Sequence, residues 1–100
     1  MRLSSVNCTR VEAISDTSCE GEVRNVSQLT LTNVDVVIEW LVGSGEVAET
    51  DRAPIAFAFK PMLPGETSGW LMSQASYNPE FAAYRVSFAG PDGPIPADGP

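Results

Sequence analysis

The stretch GEVRNVSQLTLTNVDVVIEW (residues 21–40) decides how the whole chain reads. Its second half carries Val34, Val36, Ile38 and Trp40 at every other position, and Val42 continues the series. Successive side chains of a strand point to opposite sides, so this period of two predicts a strand with one face on a core. The intervening Asn33, Asp35, Val37, Glu39 and Leu41 mix charge with apolar residues, which predicts a second face that is partly covered. Upstream, Cys19, Gly21 and Val23 alternate with Glu20, Glu22 and Arg24 and predict another strand. Between the two lies a cluster of short polar side chains running from Asn25 to Asn33. Asn, Ser and Thr hydrogen-bond a turning backbone, so the cluster reads as a corner between strands rather than as a catalytic constellation.

Working outward, GSGE (43–46) is a glycine turn. IAFAFK (55–60) sets Ile55, Phe57 and Phe59 against Ala56, Ala58 and Lys60 and predicts a strand. PMLPGE (61–66) is a loop with a turn at Pro64-Gly65. TSGWLMSQ (67–74) predicts a strand with Trp70 and Met72 on one face, and AYRVSF (83–88) another with Tyr84, Val86 and Phe88 in phase. Between them SYNPEF (76–81) is a loop, since Asn78-Pro79 disfavours helix. In VNCTRVEAI (6–14), Val6 and Cys8 fall in one phase and Val11 and Ala13 in the other, which a bulge near Thr9-Arg10 would reconcile. SDTS (15–18) then reads as a turn. GPDGPIPADGP (90–100) holds four prolines; it is expected to form no ladder and to be a tail or linker outside a single domain of residues 1–89. Short strands, regular turn signals and no helix pattern predict an all-β protein, an antiparallel β-sandwich of about seven strands. Tyr84, two residues before Val86, fits either the tyrosine corner of such sandwiches or a cap on the core edge.

A chain of 100 residues makes one domain with a modest core. The net charge is −7 and the six basic residues are scattered, so a nucleic-acid backbone or an anionic lipid surface would be repelled. No apolar run is long enough to span a membrane. The partner to expect is another protein or a neighbouring domain. Cys8 and Cys19 either bridge or remain as buried thiols; adjacent antiparallel strands would bring them within reach, and we favour the bridge. A disulfide across so short a loop contributes about 3 kcal/mol and implies an oxidising compartment, extracellular or periplasmic. Met1 runs directly into RLSSVNC, which lacks the apolar core of a signal peptide, so an exported form is expected to be a mature or excised chain.

Four segments together resemble FxLYD-type domains: GEVRN followed by Ser27, VDVVIEWLVGSGEVAE with Gly45 and Val47, LPGETSGW (63–70) and AYRVSF, covering roughly residues 19–89. The eponymous Phe-x-Leu-Tyr-Asp is replaced by IEWLV (38–42), which keeps the hydrophobic class and not the letters. The resemblance implies a small immunoglobulin-like sandwich of an exported or surface-anchored prokaryotic protein. It brings no catalytic residue to carry over.

Chemistry is narrowly bounded. With no histidine, neither a Ser-His-Asp nor a Cys-His arrangement can be built, and zinc lacks ligands. Lys60, the only lysine, has no partner in view for a Ser-Lys dyad; it either forms an isopeptide cross-link with an Asn or Asp or stands as a solvated strand-end lysine. Glu46, Glu49 and Asp51 lie near one turn but lack the spacing of a calcium loop. Asn7-Cys8-Thr9 and Asn25-Val26-Ser27 are formal glycosylation sequons, without meaning in a bacterial protein. No cofactor and no catalytic residue are expected. Trp40 and Trp70 read as core. The candidates for a binding surface are Tyr77 in SYNPEF, Leu41 and Val37 on the mixed strand face, and Met62 and Leu63 in the proline-braced loop 60–66. The expected role is a non-catalytic accessory or protein-interaction domain of an exported or surface-associated bacterial protein. The alternatives are a proteinase-inhibitor-like module acting through loop 60–66, or the non-catalytic β-domain of a larger enzyme.

Overall fold

The valine series forms the strand around which the rest is laid. The computed structural model describes residues 1–11, 16–75, 77–78 and 80–95. Within it Val34, Val36, Ile38 and Trp40 are buried in alternation with half-buried neighbours, as the period of two requires. In chain order the strands are β1 (Arg2–Val11), β2 (Asp16–Arg24), β3 (Val34–Val42), β4 (Val47–Ala56), β5 (Thr67–Ala75), β6 (Phe81–Gly90) and β7 (Gly93–Ile95). They make two sheets, ordered β1-β2-β5 and β4-β3-β6-β7, and every pairing is antiparallel. No helix occurs among the described residues.

Both sheets feed one apolar cluster. Cys19, Val23, Trp70 and Met72 come from the first, and Val36, Ile38 and Phe88 from the second. Each fully buried Val or Ile contributes roughly 1.5–3 kcal/mol relative to exposure. Across the β1–β2 ladder Cys8 stands directly opposite Cys19, and the two form a disulfide. Gly21 stands opposite Trp70 across β2–β5. A Cβ at Gly21 would meet Trp70 Cζ2 at 2.7 Å and run into the Ser5 carbonyl oxygen, so the indole can lie here only over a glycine.

Turn chemistry follows the sequence. Gly45 takes a φ of 89° in the β3–β4 turn. At Leu63-Pro64-Gly65-Glu66 the Glu66 amide donates to the Leu63 carbonyl at 3.0 Å, and Gly65 has a φ of 80°. Proline first and a left-handed glycine second are the features of a type II turn.

Four expectations are corrected. The register shift in β1 falls between Leu3 and Ser5, not near Thr9-Arg10; Thr9, Arg10 and Val11 are all exposed, so no change of phase is needed there. Ala13, invoked for the second phase, lies outside the described residues. Asp16, Thr17 and Ser18 belong to β2 rather than to a turn. The strand expected over 55–60 is instead the end of β4, which stops at Ala56. Phe57 and Lys60 then close a tight turn by exchanging backbone hydrogen bonds of 3.0 and 3.2 Å. Finally, Gly93–Ile95 does form a ladder, pairing with Phe88–Gly90, because Ile95 packs against the core and repays the ordering of a proline-rich segment. Residues 96–100 lie outside the described residues.

Candidate functional site

The polar corner between β2 and β3 is built on Asn25, which is completely buried. Its Nδ2 donates to the carbonyls of Leu29 (2.8 Å) and Met62 (3.1 Å). Its Oδ1 accepts from the Ser27 amide (3.0 Å) and the Ser27 hydroxyl (2.6 Å). The Asn25 backbone adds two bonds to the facing loop: its amide donates to Glu66 O (2.9 Å), and its carbonyl accepts from the Gly65 amide (2.7 Å). One side chain thus ties two loops into a rigid end, reinforced by the reciprocal Leu31–Met62 backbone pair.

That end carries exposed apolar side chains: Phe59 is 85% exposed, Leu29 68% and Leu63 50%. Phe57 stacks on Phe59 with ring centroids 5.1 Å apart. Of the two candidates in loop 60–66, Leu63 is therefore on the surface. Met62 is corrected: it is 1% exposed, held inward by its two backbone bonds to Leu31, and belongs to the core.

On the outer face of β3, Val37 and Leu41 are half-buried. Val37 lies between Arg52 and Ser87 on the neighbouring strands, and Leu41 between Val47 and Ala83. Cross-strand pairs surround them, Arg52 to Asp35 at 3.0 Å and Arg85 to Glu39 at 3.1 Å. Tyr77, half-buried, follows β5 at the opposite end of the molecule from Phe59. The structure therefore does not gather Val37, Leu41, Leu63 and Tyr77 into one place.

It gathers a different set. Near Tyr77's end, a cleft of about 430 Å³ opens between β1–β2 and β6. Trp40, Phe81 and Tyr84 line one wall, and Cys8, Arg10 and Thr17 the other. The Trp40 ring stacks on Phe81 and tilts against Tyr84, each at 5.6 Å between centroids. Trp40 Nε1 donates to Asp51 Oδ2 at 2.7 Å, which fixes the indole. Arg10 reaches across with Nη1 donating to the carbonyls of Asn78 (3.4 Å) and Phe81 (3.3 Å). Thr17 is 3% exposed and its hydroxyl finds no hydrogen-bond partner among the described residues. These residues come from four separate stretches, and no spacing in the sequence announces the cleft.

Among the described residues no group of three or more His, Cys, Asp or Glu is placed to hold a metal ion. No helix among them is long and apolar enough to cross a membrane. Compared with protein-family models, curated proteins and solved structures, the chain matches none of them.

Proposed function

We propose that the chain is a non-catalytic protein-interaction domain of an exported or surface-associated bacterial protein, built as an immunoglobulin-like sandwich of the FxLYD type. The observation that carries this is the rigid loop end. Phe59, Leu29 and Leu63 are held out in solvent by loops that Asn25 and the Leu31–Met62 pair brace from inside. Apolar side chains exposed on a braced surface bind a partner with little loss of conformational entropy.

The strand order supports the sandwich. The third, sixth and seventh strands share one sheet and the first, second and fifth the other, with β4 joining the former as an added strand does in variable-type immunoglobulin domains. The FxLYD resemblance gains support from Gly-x-Val-x-Asn-x-Ser, where each residue has a structural task. Gly21 admits the Trp70 indole, Val23 fills the core, Asn25 ties the corner and Ser27 caps Asn25. The Cys8–Cys19 disulfide is compatible with an oxidising compartment.

The test is site-specific photo-crosslinking in the native cell. A photoreactive residue replacing Phe59 should give a discrete protein adduct that Leu29→Ser weakens, while one replacing Thr50 on the charged face should not. Equal adducts from both positions, or none from position 59, would reject the loop end as a contact surface.

A further inference from the structure

Arg10 and Thr17 stand directly opposite each other across the β1–β2 ladder, two residues beyond the Cys8–Cys19 pair. Opposed residues carry their side chains on the same face of a sheet, with Cβ atoms about 4.5–5.5 Å apart. Both line the cleft in front of Trp40, Phe81 and Tyr84. Two hydrogen-bond donors of different kinds, a guanidinium and a hydroxyl, therefore meet one aromatic wall.

Each donor has capacity to spare. Arg10 is anchored through Nη1, which donates to the carbonyls of Asn78 and Phe81. Its Nε and Nη2 form the other edge of the planar group, the edge that fits a carboxylate with two parallel bonds. Thr17 is 3% exposed, and its hydroxyl has no partner among the described residues. A buried hydroxyl left unpaired is costly, so an acceptor arriving beside it is favoured.

The wall opposite is built in advance. Trp40 is fixed by its bond to Asp51, Phe81 stacks on it at an interplanar angle of 9°, and Tyr84 is tilted to it by 58°. Rings set at an angle offer a further aromatic ring both a face and an edge. The volume of about 430 Å³ suits a small molecule, since ligand pockets run from roughly 300 to 1,000 Å³. Arg10 is the one charged residue among the described residues that line the cleft, and it selects an anion over a cation. The net charge of −7 opposes an anion at long range. Exposed charges more than about 8 Å away are largely screened at physiological salt, whereas a carboxylate touching Arg10 is not.

We infer that this cleft binds a small aromatic carboxylic acid, its ring against Trp40, Phe81 and Tyr84 and its carboxylate on Arg10 and Thr17. The cleft lies at the opposite end of the molecule from Phe59, so this site stands or falls separately from the loop-end contact proposed above.

The probes are phenylacetate and indole acetate, each compared with its uncharged primary amide and titrated into the isotope-labelled, oxidised protein under nuclear magnetic resonance. The acids should produce saturable shifts at the backbone amides of Arg10, Thr17 and residues 81–84 and at the Trp40 indole N–H. The indole N–H of Trp70, which does not line the cleft, should stay in place. The amides should bind at least about tenfold more weakly, because the charge-assisted bonds are lost. Arg10→Gln should weaken the acids by a similar factor. Thr17→Val, which keeps the shape and removes the hydroxyl, should weaken them about threefold to tenfold. Phe59→Ser should change nothing. Arg10→Gln also removes the bonds to Asn78 and Phe81, so the comparison of acid with amide on the unsubstituted protein stands as an independent criterion. The inference is overturned if neither acid gives saturable shifts at these positions, or if the amides bind as tightly as the acids. It is overturned equally if a peptide ending in phenylalanine with a free carboxylate binds where the small acids do not, since the occupant is then a chain terminus.

Discussion

Asn25→Asp exchanges one atom of a completely buried side chain and should be among the costliest single substitutions in this protein. The Nδ2 group that donates to Leu29 O at 2.8 Å and Met62 O at 3.1 Å becomes an oxygen facing two carbonyl oxygens. The companion variant, Asn25→Ala, removes four side-chain hydrogen bonds. At about 1 kcal/mol each, partly recovered by solvent at the Ser27 side, Asn25→Ala should cost roughly 2–4 kcal/mol. That is a large part of the 5–15 kcal/mol (roughly) typical of a domain. The aspartate variant should cost at least as much at neutral pH, because the introduced charge is buried against acceptors. It should also depend on pH. Burial and the two carbonyls raise the introduced carboxyl's folded pKa above the ordinary value of about 3.9. Between that value and the raised one the native state holds more protons than the unfolded state, so stability falls as pH rises. The penalty is thus smallest below about pH 4 and grows upward, while Asn25→Ala runs parallel to the unsubstituted protein. Urea unfolding followed by the fluorescence of buried Trp40 and Trp70, from acid to neutral pH, gives these curves at constant m. An alanine variant within about 0.5 kcal/mol of the parent, or an aspartate variant that tracks alanine at every pH, would refute the role assigned to Asn25.

Gly21→Ala should lose about 1–3 kcal/mol by driving a methyl into the Trp70 indole. Urea titration should show that loss partly recovered when Trp70→Leu is combined with it, because the two sites are in contact. Replacing both Cys8 and Cys19 by serine should cost about 3 kcal/mol, and a reductant should shift the midpoint of the unsubstituted protein by a similar amount. Asp51→Ala should destabilise by about 1–2 kcal/mol and alter the near-ultraviolet dichroism of Trp40, because the indole N–H loses its acceptor. Glu39→Gln should change stability by no more than about 0.5 kcal/mol in the same titration, since its pair with Arg85 is solvated.

What could be read in advance follows from where each element sits. β3 lies between two neighbours with one face on the core, so its burial alternates and its sequence alternates with it. The turns at Gly45 and Pro64-Gly65 were legible because backbone sterics limit which residues fit there. β4 is different. It is an edge strand with its first four residues exposed, so no burial constrains VAET, whereas IAFAFK alternates although the strand stops at Ala56. Phe59 completes that rhythm yet points into solvent. Loop 60–66 was found, but which of Met62 and Leu63 faces outward depends on a backbone bridge to Leu31 that no local pattern encodes. The cleft was invisible for a related reason. Arg10, Thr17, Trp40, Phe81 and Tyr84 meet only after the two sheets are laid together. Ala82, Ala83, Tyr84 and Arg85 are exposed in succession, a property of what packs on either face of β6 rather than of the residues themselves.

The Cys8–Cys19 disulfide bears on the order of events during folding in an oxidising environment. Both cysteines lie in the first hairpin, complete by Arg24, whereas the strand that will cover the far side of β2 begins only at Thr67. Until β5 docks, that side of β2 has no partner strand. Through that interval a lone two-stranded hairpin is marginal in water. A covalent tie across directly opposed positions can hold its register until β5 arrives. Once oxidised, the chain can therefore hold its β1–β2 pair as a template onto which β5 is added in the correct alignment.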